Sequence, residues 1–275
     1  MKLQDKIAVI TGAGRGIGKT IALTFAQEGA TIVCISRTAL EIEDTAREIR
    51  SFGRHVLALQ ADVSKPEEVD NAVALTIKQF GQVDVLVNAA GIQGPIGSVL
   101  DNDINSWIQT INVNLIGTFL FTKAVLPVMV ERRKGKIINF SGGGATSPRP
   151  YFTAYAASKG SVVHFTESLA EEVKNYNIQV NAIAPGAVNT KMLDQVLAAR
   201  KLAGEIEFEK AAEQLKSGGT SPEKPANLVL FLASDESKNL TGKLISAVWD
   251  NWQGFSGKID EIMATDIYTL RRIVK

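Results

Sequence analysis

Short apolar runs alternate with longer amphipathic stretches along this chain. The stretches at residues 39–52, 66–80 and 104–129 have the spacing of helices. Strands are predicted at residues 7–10, 32–35, 56–59, 83–87, 136–140, 180–183 and 244–248. Helices between successive strands form crossover connections, and crossovers produce parallel strands. The pattern predicts an α/β fold: a doubly wound parallel sheet of about seven strands with helices on both faces.

Length and composition favour a single domain. The chain has 275 residues, of which 45% are hydrophobic, and it shows no low-complexity tract or linker. We predict one domain over residues 1–252, followed by a C-terminal extension over residues 253–275. Ser221 and Pro222 resemble a helix start, with Ser221 as the N-cap and Pro222 in the first turn of a helix that ends near Ala233.

Charge and cysteine content limit the partners and the compartment. A formal net charge of +1 argues against broad electrostatic binding of nucleic acid or anionic membrane. No apolar stretch is expected to cross a bilayer, and the N-terminus leads into the first strand without the features of a signal peptide. The only cysteine, Cys34, lies in an apolar strand pattern and has no intrachain partner. We expect a cytoplasmic protein.

A glycine-rich turn follows the first predicted strand. It runs from Thr11 to Gly18 with Gly12, Gly14, Gly16 and Gly18, and a helical pattern comes directly after it. Glycines let the backbone approach a pyrophosphate, and the N-terminus of the following helix presents free N–H groups and a positive dipole. The turn therefore predicts a dinucleotide site, although a tight loop of an ordinary α/β domain has the same outline.

Tyr155 and Lys159 form the most informative pair in the sequence. Residues four apart lie on one face of a helix, so the phenol and the ammonium point the same way. A nearby cation favours the phenolate and lowers the pKa of a tyrosine, which makes a general acid usable near neutral pH. Tyr151 lacks a lysine at the fourth following position, so we expect it to form a pocket wall.

These two features stand in a longer ordered set of motifs. Asp62 lies within Ala61-Asp62-Val63, Asn88 begins Asn88-Ala89-Ala90-Gly91, and Asn114 lies within Val113-Asn114-Leu115. Ser141 precedes the tyrosine, and Pro185, Gly186 and Thr190 follow it. From Asp5 to Ile245 the chain resembles the short-chain dehydrogenase/reductase family, including 3-oxoacyl-carrier-protein reductases and sugar or alcohol dehydrogenases. The resemblance implies a Rossmann-type fold whose motifs converge at the carboxyl ends of the strands.

The resemblance also implies roles for four residues. Tyr155 exchanges a proton with the substrate oxygen, and Ser141 orients that oxygen. Lys159 lowers the pKa of the tyrosine and holds the nicotinamide ribose, and Asn114 anchors a water that links Lys159 to solvent. Alternatives remain for two of them, because Ser141 could be a turn residue and Asn114 a polar helix contact. No metal-ligand cluster is predicted.

Cofactor choice depends on the end of the second strand. NAD-preferring relatives carry an acidic residue there, whereas this chain has Ser36 and Arg37, with Arg15 in the glycine turn. Two guanidinium groups suit the additional phosphate of NADP, unless both are solvated surface charges. NADP(H) is the expected cofactor and NAD(H) the alternative. The resemblance implies these cofactor-binding residues: Gly12, Arg15, Gly16, Ile17, Gly18, Ser36, Arg37, Asp62, Val63, Asn88, Ala89, Gly91, Tyr155, Lys159, Pro185, Gly186, Val188 and Thr190.

The expected activity is the interconversion of a carbonyl and a secondary alcohol by hydride transfer. The substrate could be a 3-oxoacyl thioester or a keto-sugar, and Arg149 and Lys191 could receive an anionic group on it. Residues 187–220 resemble the mobile substrate lid of the family. Trp249 and Trp252 could serve a subunit interface or pack in the core, and the resemblance implies a homotetramer. A non-catalytic NADP(H)-binding sensor or scaffold is the alternative function.

Overall fold

A computed structural model of the protein describes residues 1–272. Seven strands form one parallel sheet in the order β3-β2-β1-β4-β5-β6-β7. The strands are β1 (Ile7–Thr11), β2 (Thr31–Ser36), β3 (Val56–Gln60), β4 (Val85–Asn88), β5 (Gly135–Phe140), β6 (Ile178–Ala184) and β7 (Leu244–Ser246). The predicted doubly wound sheet is confirmed. Each predicted strand lies within two residues of the observed one at both ends.

The strand order reverses next to β1. The chain builds β1, β2 and β3 outward in one direction and then crosses to β4 on the other side of β1. Because all strands are parallel, the loops that follow them emerge at the same edge of the sheet. A crevice forms between the loops after β1 and β4, the place where ligands bind in open α/β sheets.

Helices cover both faces of the sheet. They are α1 (Gly16–Gln27), α2 (Ala39–Ser51), α3 (Pro66–Phe80), α4 (Ile104–Ile111), α5 (Gly117–Arg132), α6 (Thr153–Val173), α7 (Lys191–Ala199), α8 (Glu205–Ser217), α9 (Glu223–Ala233) and α10 (Ile259–Met263). Successive residues of β1 enter opposite cores: Ala8 and Ile10 join one, Ile7 and Val9 the other. The sheet is therefore buried on both faces, which is why its strands are almost continuously apolar.

One predicted helix has an unexpected interruption. Residues 104–132 are helical throughout, but Asn112–Ile116 form a π-helical turn between α4 and α5. This turn carries Asn114, and π turns occur frequently at functional sites. The expectation that no apolar stretch reaches membrane-spanning length is wrong, because this helix is long and apolar enough by composition. It packs Phe121, Val125 and Met129 into the core, and core helices commonly meet the same criterion.

Two local predictions near the C-terminus are corrected. The helix predicted from Ser221 begins at Glu223, and the Ser221 hydroxyl contacts the Glu223 carboxylate instead of capping the backbone. Strand β7 ends at Ser246 rather than residue 248, because Asp250 accepts a hydrogen bond from the Ser246 backbone N–H at 2.7 Å and turns the chain.

The extension packs largely on its own chain. Phe255, Ile259 and Ile262 are buried in the core beside α9. Trp252 is partly buried against Phe231, whereas Trp249 is 86% exposed. Trp252 therefore packs against the chain's own core, and an interface role for Trp249 stays a prediction. A role of the extension at a subunit interface stays a prediction, and residues 273–275 lie outside the described part.

Candidate active site

The glycine turn and the loop after β4 are joined by one hydroxyl. Thr11 ends β1, and its Oγ1 accepts hydrogen bonds from the backbone N–H groups of Ala89 and Ala90, each at 3.1 Å. A Cβ at Gly12 would lie 2.9 Å from the Ala90 backbone, and Gly12 has a φ of +69°. Glycine is required there by close approach and by conformation. The motif analysis included Thr11 in the turn but assigned no role to its hydroxyl.

The start of α1 can receive a phosphate. The helix begins at Gly16, and in this fully described helix no side chain caps the first turn and no acidic residue lies in it. The backbone N–H groups of the turn are therefore available to an anion. Thr190 lies across the crevice, because its Cγ2 would be 3.5 Å from a Cβ at Gly16. The cradle fits the pyrophosphate of a dinucleotide.

The four predicted catalytic residues come together beside this cradle. Tyr155 and Lys159 lie on one face of α6, and the Lys159 ammonium is 5.6 Å from the centre of the Tyr155 ring. Ser141 follows β5, and its Oγ donates a 3.3 Å hydrogen bond to the Lys159 carbonyl. A Cβ at Gly142 would lie only 2.7 Å from the Tyr155 hydroxyl. All four side chains, Asn114 included, are buried.

Asn114 ties the site together through its amide. Its Oδ1 accepts from the Ile92 N–H at 2.9 Å, and its Nδ2 donates to the Ile92 carbonyl and to the Ser158 hydroxyl, each at 3.0 Å. Both ends of the amide are therefore engaged with the protein. Asn114 holds the loop after β4 against α6, and its part in a water relay stays a prediction. Ser158 is a further residue whose role the motif alone did not reveal.

The electrostatics of the tyrosine differ from the expectation. Burial raises the pKa of the Tyr155 phenol above its ordinary value, and the cation that acts against this rise is Arg149 rather than Lys159. Burial also lowers the pKa of the Lys159 ammonium to about 8. The prediction from spacing considered charge alone and omitted the desolvation of two groups that share a buried pocket.

Carboxylates surround the predicted NADP corner. Arg15 pairs with Glu41 at 2.9 Å, and Lys191 lies 3.6 Å from the same carboxylate. Arg37 lies 3.7 Å from Asp62, whose Oδ1 also accepts from Ser64. Lys191 and Arg149, expected as anion receivers, are therefore both paired within the protein. Glu41 was missed because it is 26 residues from Arg15, a separation that no spacing rule addresses.

The structure distributes the remaining predicted residues around the same crevice. Ser36 ends β2, and its Oγ would be 3.3 Å from a Cβ at Gly14. Val63 is buried against Gly117, and Ile17 packs against the core that contains Ala8 and Ile10. Gly91 brings Asn114 and Lys159 together, since its Cβ would be 3.3 Å from Asn114 Oδ1 and 3.6 Å from Lys159 Nζ. Their contacts with a cofactor stay predictions.

The loops after β4 and β6 complete the rim. Asn88 turns its Nδ2 towards the sheet, where it donates to Asn139 Oδ1 at 2.9 Å. Thr190 caps α7 by accepting from the Met192 N–H, and Val188 forms a β-bridge with Thr220 at the other end of the predicted lid. Pro185 and Gly186 follow β6 directly. Among residues 1–272, no group of three His, Cys, Asp or Glu side chains is placed to hold a metal ion.

The chain matches a known family model over most of its length. Residues 6–201 match the model of the short chain dehydrogenases. The chain belongs to the short-chain dehydrogenase family. It is 36% identical to the 3-oxoacyl-[acyl-carrier-protein] reductase FabG of Thermotoga maritima, covering 89% of this chain and 97% of that protein.

Solved structures agree with the assignment. An actinorhodin polyketide ketoreductase, determined with NADPH, superposes with a TM-score of 0.82 at 31% identity, and the match covers 88% of this chain and 95% of that one. An NAD+-bound xylitol dehydrogenase superposes with a TM-score of 0.84 at 28% identity, covering 90% and 98%. This short-chain dehydrogenase is thus an oxidoreductase that interconverts carbonyl and alcohol groups with NAD(P)(H).

Proposed function

We propose that the protein is an NADP(H)-dependent carbonyl reductase or alcohol dehydrogenase with Tyr155 as its general acid and base. One observation carries the proposal: Ser141, Tyr155 and Lys159 are buried side by side at the carboxyl end of β5. Burial of ionisable groups lowers the stability of the folded protein, and ionisable groups with shifted pKa values cluster at functional sites. A sensor that only binds the cofactor has no need of groups that transfer a proton.

The proton chemistry belongs to two hydroxyl groups. In reduction, the Tyr155 hydroxyl donates its proton to the carbonyl oxygen, and in oxidation the phenolate takes it back from the alcohol. The Ser141 hydroxyl donates a hydrogen bond to the same oxygen. Its present bond to the Lys159 carbonyl is long, at 3.3 Å, so rotation of the hydroxyl exchanges it at small cost.

Lys159 and Asn114 support these groups. Lys159 donates to the Phe140 carbonyl at 2.8 Å, which keeps the ammonium beside Ser141 and the cradle. From there it holds the nicotinamide ribose, as the family resemblance implies. Asn114 keeps the loop after β4 in register with α6 through its three bonds. When bound, the nicotinamide supplies or accepts the hydride.

Preference for NADP(H) is supported by the basic groups at the adenosine end. Arg15, Arg37 and Lys191 lie around the end of β2, and guanidinium groups bind phosphate in bidentate fashion. Glu41 already pairs with two of them, so the phosphate of NADP competes with this carboxylate. NAD(H) is the weaker cofactor in this proposal.

The proposed substrate is a ketone of moderate size, either a 3-oxoacyl thioester or a keto-sugar. Similarity to FabG of Thermotoga maritima supports the first class, and similarity to xylitol dehydrogenase supports the second. Residues 187–220, the proposed lid, contain α7 and α8, and Leu193 and Ala211 of these helices pack in one cluster with Tyr155, which supports an enclosed substrate. A homotetramer in the cytoplasm completes the proposal, and light scattering after size exclusion tests the oligomer.

The test measures binding and turnover separately. NADPH and NADH are titrated by fluorescence, and NADPH oxidation is then followed with an acetoacetyl thioester, a ketose and a cyclic ketone. Tight NADPH binding with turnover of one class supports the proposal. Binding without turnover of any ketone favours the sensor, and tighter binding of NADH contradicts the assignment of Arg15 and Arg37.

A further inference from the structure

Arg149 lies beside the proposed acid, in the loop between β5 and α6. Its guanidinium carbon is 4.0 Å from the centre of the Phe152 ring and 5.6 Å from the centre of the Tyr155 ring. The side chain is only 19% exposed. A cation held at this distance in a poorly solvated place interacts strongly with any charge that develops on the phenol.

The lid contributes the opposite charge. Glu207 lies on α8, and its Oε2 accepts from Arg149 Nε at 2.9 Å, while its Oε1 lies 3.3 Å from Lys210 Nζ. Partial burial acts to raise the pKa of Glu207, but its bonds to Arg149 and Lys210 outweigh burial and hold the pKa below its ordinary value. The carboxylate is therefore ionised at neutral pH and offsets part of the charge of Arg149.

Two basic side chains thus lie beside the Tyr155 ring, and a charged pair on α8 is linked to one of them. Arg149 comes from the loop after β5, Glu207 and Lys210 come from α8, and Lys159 comes from the same helix as Tyr155. Burial lowers the pKa of Lys159 to about 8 and raises that of Tyr155. Lys159 is hence neutral in the range where the phenol ionises, which leaves Arg149 as the nearby permanent cation.

We propose that Arg149 is a positioning residue that sets the charge environment of Tyr155, and that Glu207 of the lid controls how much of this charge the phenol meets. The inference rests on the proposed role of Tyr155 as acid and base. It deepens that role by linking the acid to the lid. Any displacement of α8 that separates Glu207 from Arg149 strengthens the positive field at the phenol.

A purely mechanical latch is the competing explanation. A half-buried ion pair between a loop and a lid helix also holds the lid in place, and loss of either partner would then loosen the lid in the same way. The proposed charge control predicts shifts of opposite sign in the pKa of Tyr155 for the two partners. Removal of the Arg149 charge raises the pKa of Tyr155, whereas removal of the Glu207 charge lowers it.

The experiment reads the phenol directly and needs no substrate. The chain has four tyrosines, so protein labelled with 13C at the tyrosine Cζ gives few signals, and Tyr155→Phe identifies that of Tyr155. Titrations compare the wild type with Arg149→Met, Arg149→Lys and Glu207→Gln. The matched control is Glu205→Gln, which removes an exposed carboxylate from the same helix. Circular dichroism at each pH confirms that the proteins are folded.

The expected result is a separation of midpoints by about one pH unit in each direction, upward for Arg149→Met and downward for Glu207→Gln. Arg149→Lys should stay near the wild type, and so should Glu205→Gln. Midpoints that do not move, or that move in the same direction, overturn the inference. If Arg149→Met does not fold, the downward shift in Glu207→Gln carries the test alone.

Activity separates this inference from the proposed function. If a ketone is turned over, the pH limb of kcat/KM assigned to Tyr155 should move in the same directions as the titration midpoints. If no ketone is turned over but the midpoints still separate, the proposed function fails while the charge relationship holds. If turnover occurs and the midpoints do not separate, the inference fails while the function holds.

Discussion

The ammonium of Lys159 donates a 2.8 Å hydrogen bond to the carbonyl oxygen of Phe140. Phe140 is the last residue of β5, and Ser141 follows it. The bond therefore joins α6 to the carboxyl end of β5, where the substrate oxygen is proposed to bind. It is made by a side chain that is 4% exposed, so a charge is held in a largely desolvated place.

The first prediction concerns the stability cost of this lysine. Burial lowers its pKa from 10.5 to about 8, so between these values the unfolded chain binds more protons than the folded protein. At about 1.4 kcal/mol per unit, the cost at pH 7 is of the order of 3 kcal/mol. Lys159→Met should remove it, raise the free energy of unfolding measured by urea at pH 7, and abolish turnover.

The pH dependence distinguishes this effect from better packing. The stability of the wild type should rise relative to Lys159→Met between about pH 8 and pH 10.5. In this range Lys159 is neutral in the folded protein, so its burial no longer costs the desolvation of a charge. Lys78→Met, an exposed position on α3, should change the stability by less than about 0.5 kcal/mol throughout. A gain for Lys159→Met that is constant with pH would contradict the desolvation argument.

The second prediction tests the proposed acid. Tyr155→Phe removes the hydroxyl and keeps the ring, so turnover should fall by about 10²- to 10⁴-fold while the Kd for NADPH stays within about twofold. Tyr176→Phe, in the turn that follows α6, should behave as the wild type. Steady-state kinetics with the best ketone and fluorescence titration measure the two quantities. Retained turnover would show that another group supplies the proton.

The third prediction concerns Glu41 as a competitor for phosphate. The carboxylate pairs with Arg15 at 2.9 Å in a partly exposed site. Glu41→Gln should tighten NADPH binding by about two- to fivefold and leave NADH unchanged. Arg15→Ala should weaken NADPH binding by about tenfold, again without effect on NADH. Arg47→Ala, at an exposed position of α2, is the control, and equal effects on both cofactors would contradict the assignment.

The fourth prediction uses two neighbouring glycines with different surroundings. Neither Gly142 nor Gly143 has a positive φ, so alanine is not strained by the backbone at either. A Cβ at Gly142 would lie 2.7 Å from the Tyr155 hydroxyl, whereas one at Gly143 would meet nothing closer than 3.8 Å. Gly142→Ala should displace the phenol and lower kcat by about 10²-fold. Gly143→Ala should be nearly neutral in the same assay.

Local pattern was sufficient for most of the fold. The strands of the sheet are short, apolar and separated by helices, so their positions could be recognised from neighbouring residues alone. The ends were less predictable, because an end depends on a partner elsewhere. Strand β7 stops at Ser246 since Asp250 accepts its N–H, and α9 starts at Glu223 rather than at the expected cap, Ser221.

The candidate site was predictable where spacing within one element places the groups. Tyr155 and Lys159 share a face of α6 because helical periodicity brings residues four apart together. The partners of the charged groups could not be found in this way. Arg149 and Glu207 are 58 residues apart, and no local rule joins them. The effect of burial on the pKa of Tyr155 likewise depends on residues of several elements that pack around its ring.

Periodicity and residue chemistry along single segments were enough to predict the parallel sheet, the glycine cradle and the candidate proton-transferring groups. The partners of the charged side chains follow only from packing: Arg15 pairs with Glu41, Arg149 with Glu207, and Lys159 with the carbonyl of Phe140. An ion pair and a desolvated charge depend on distance and burial in space. Both are set when the elements pack, so neither is encoded in a local pattern.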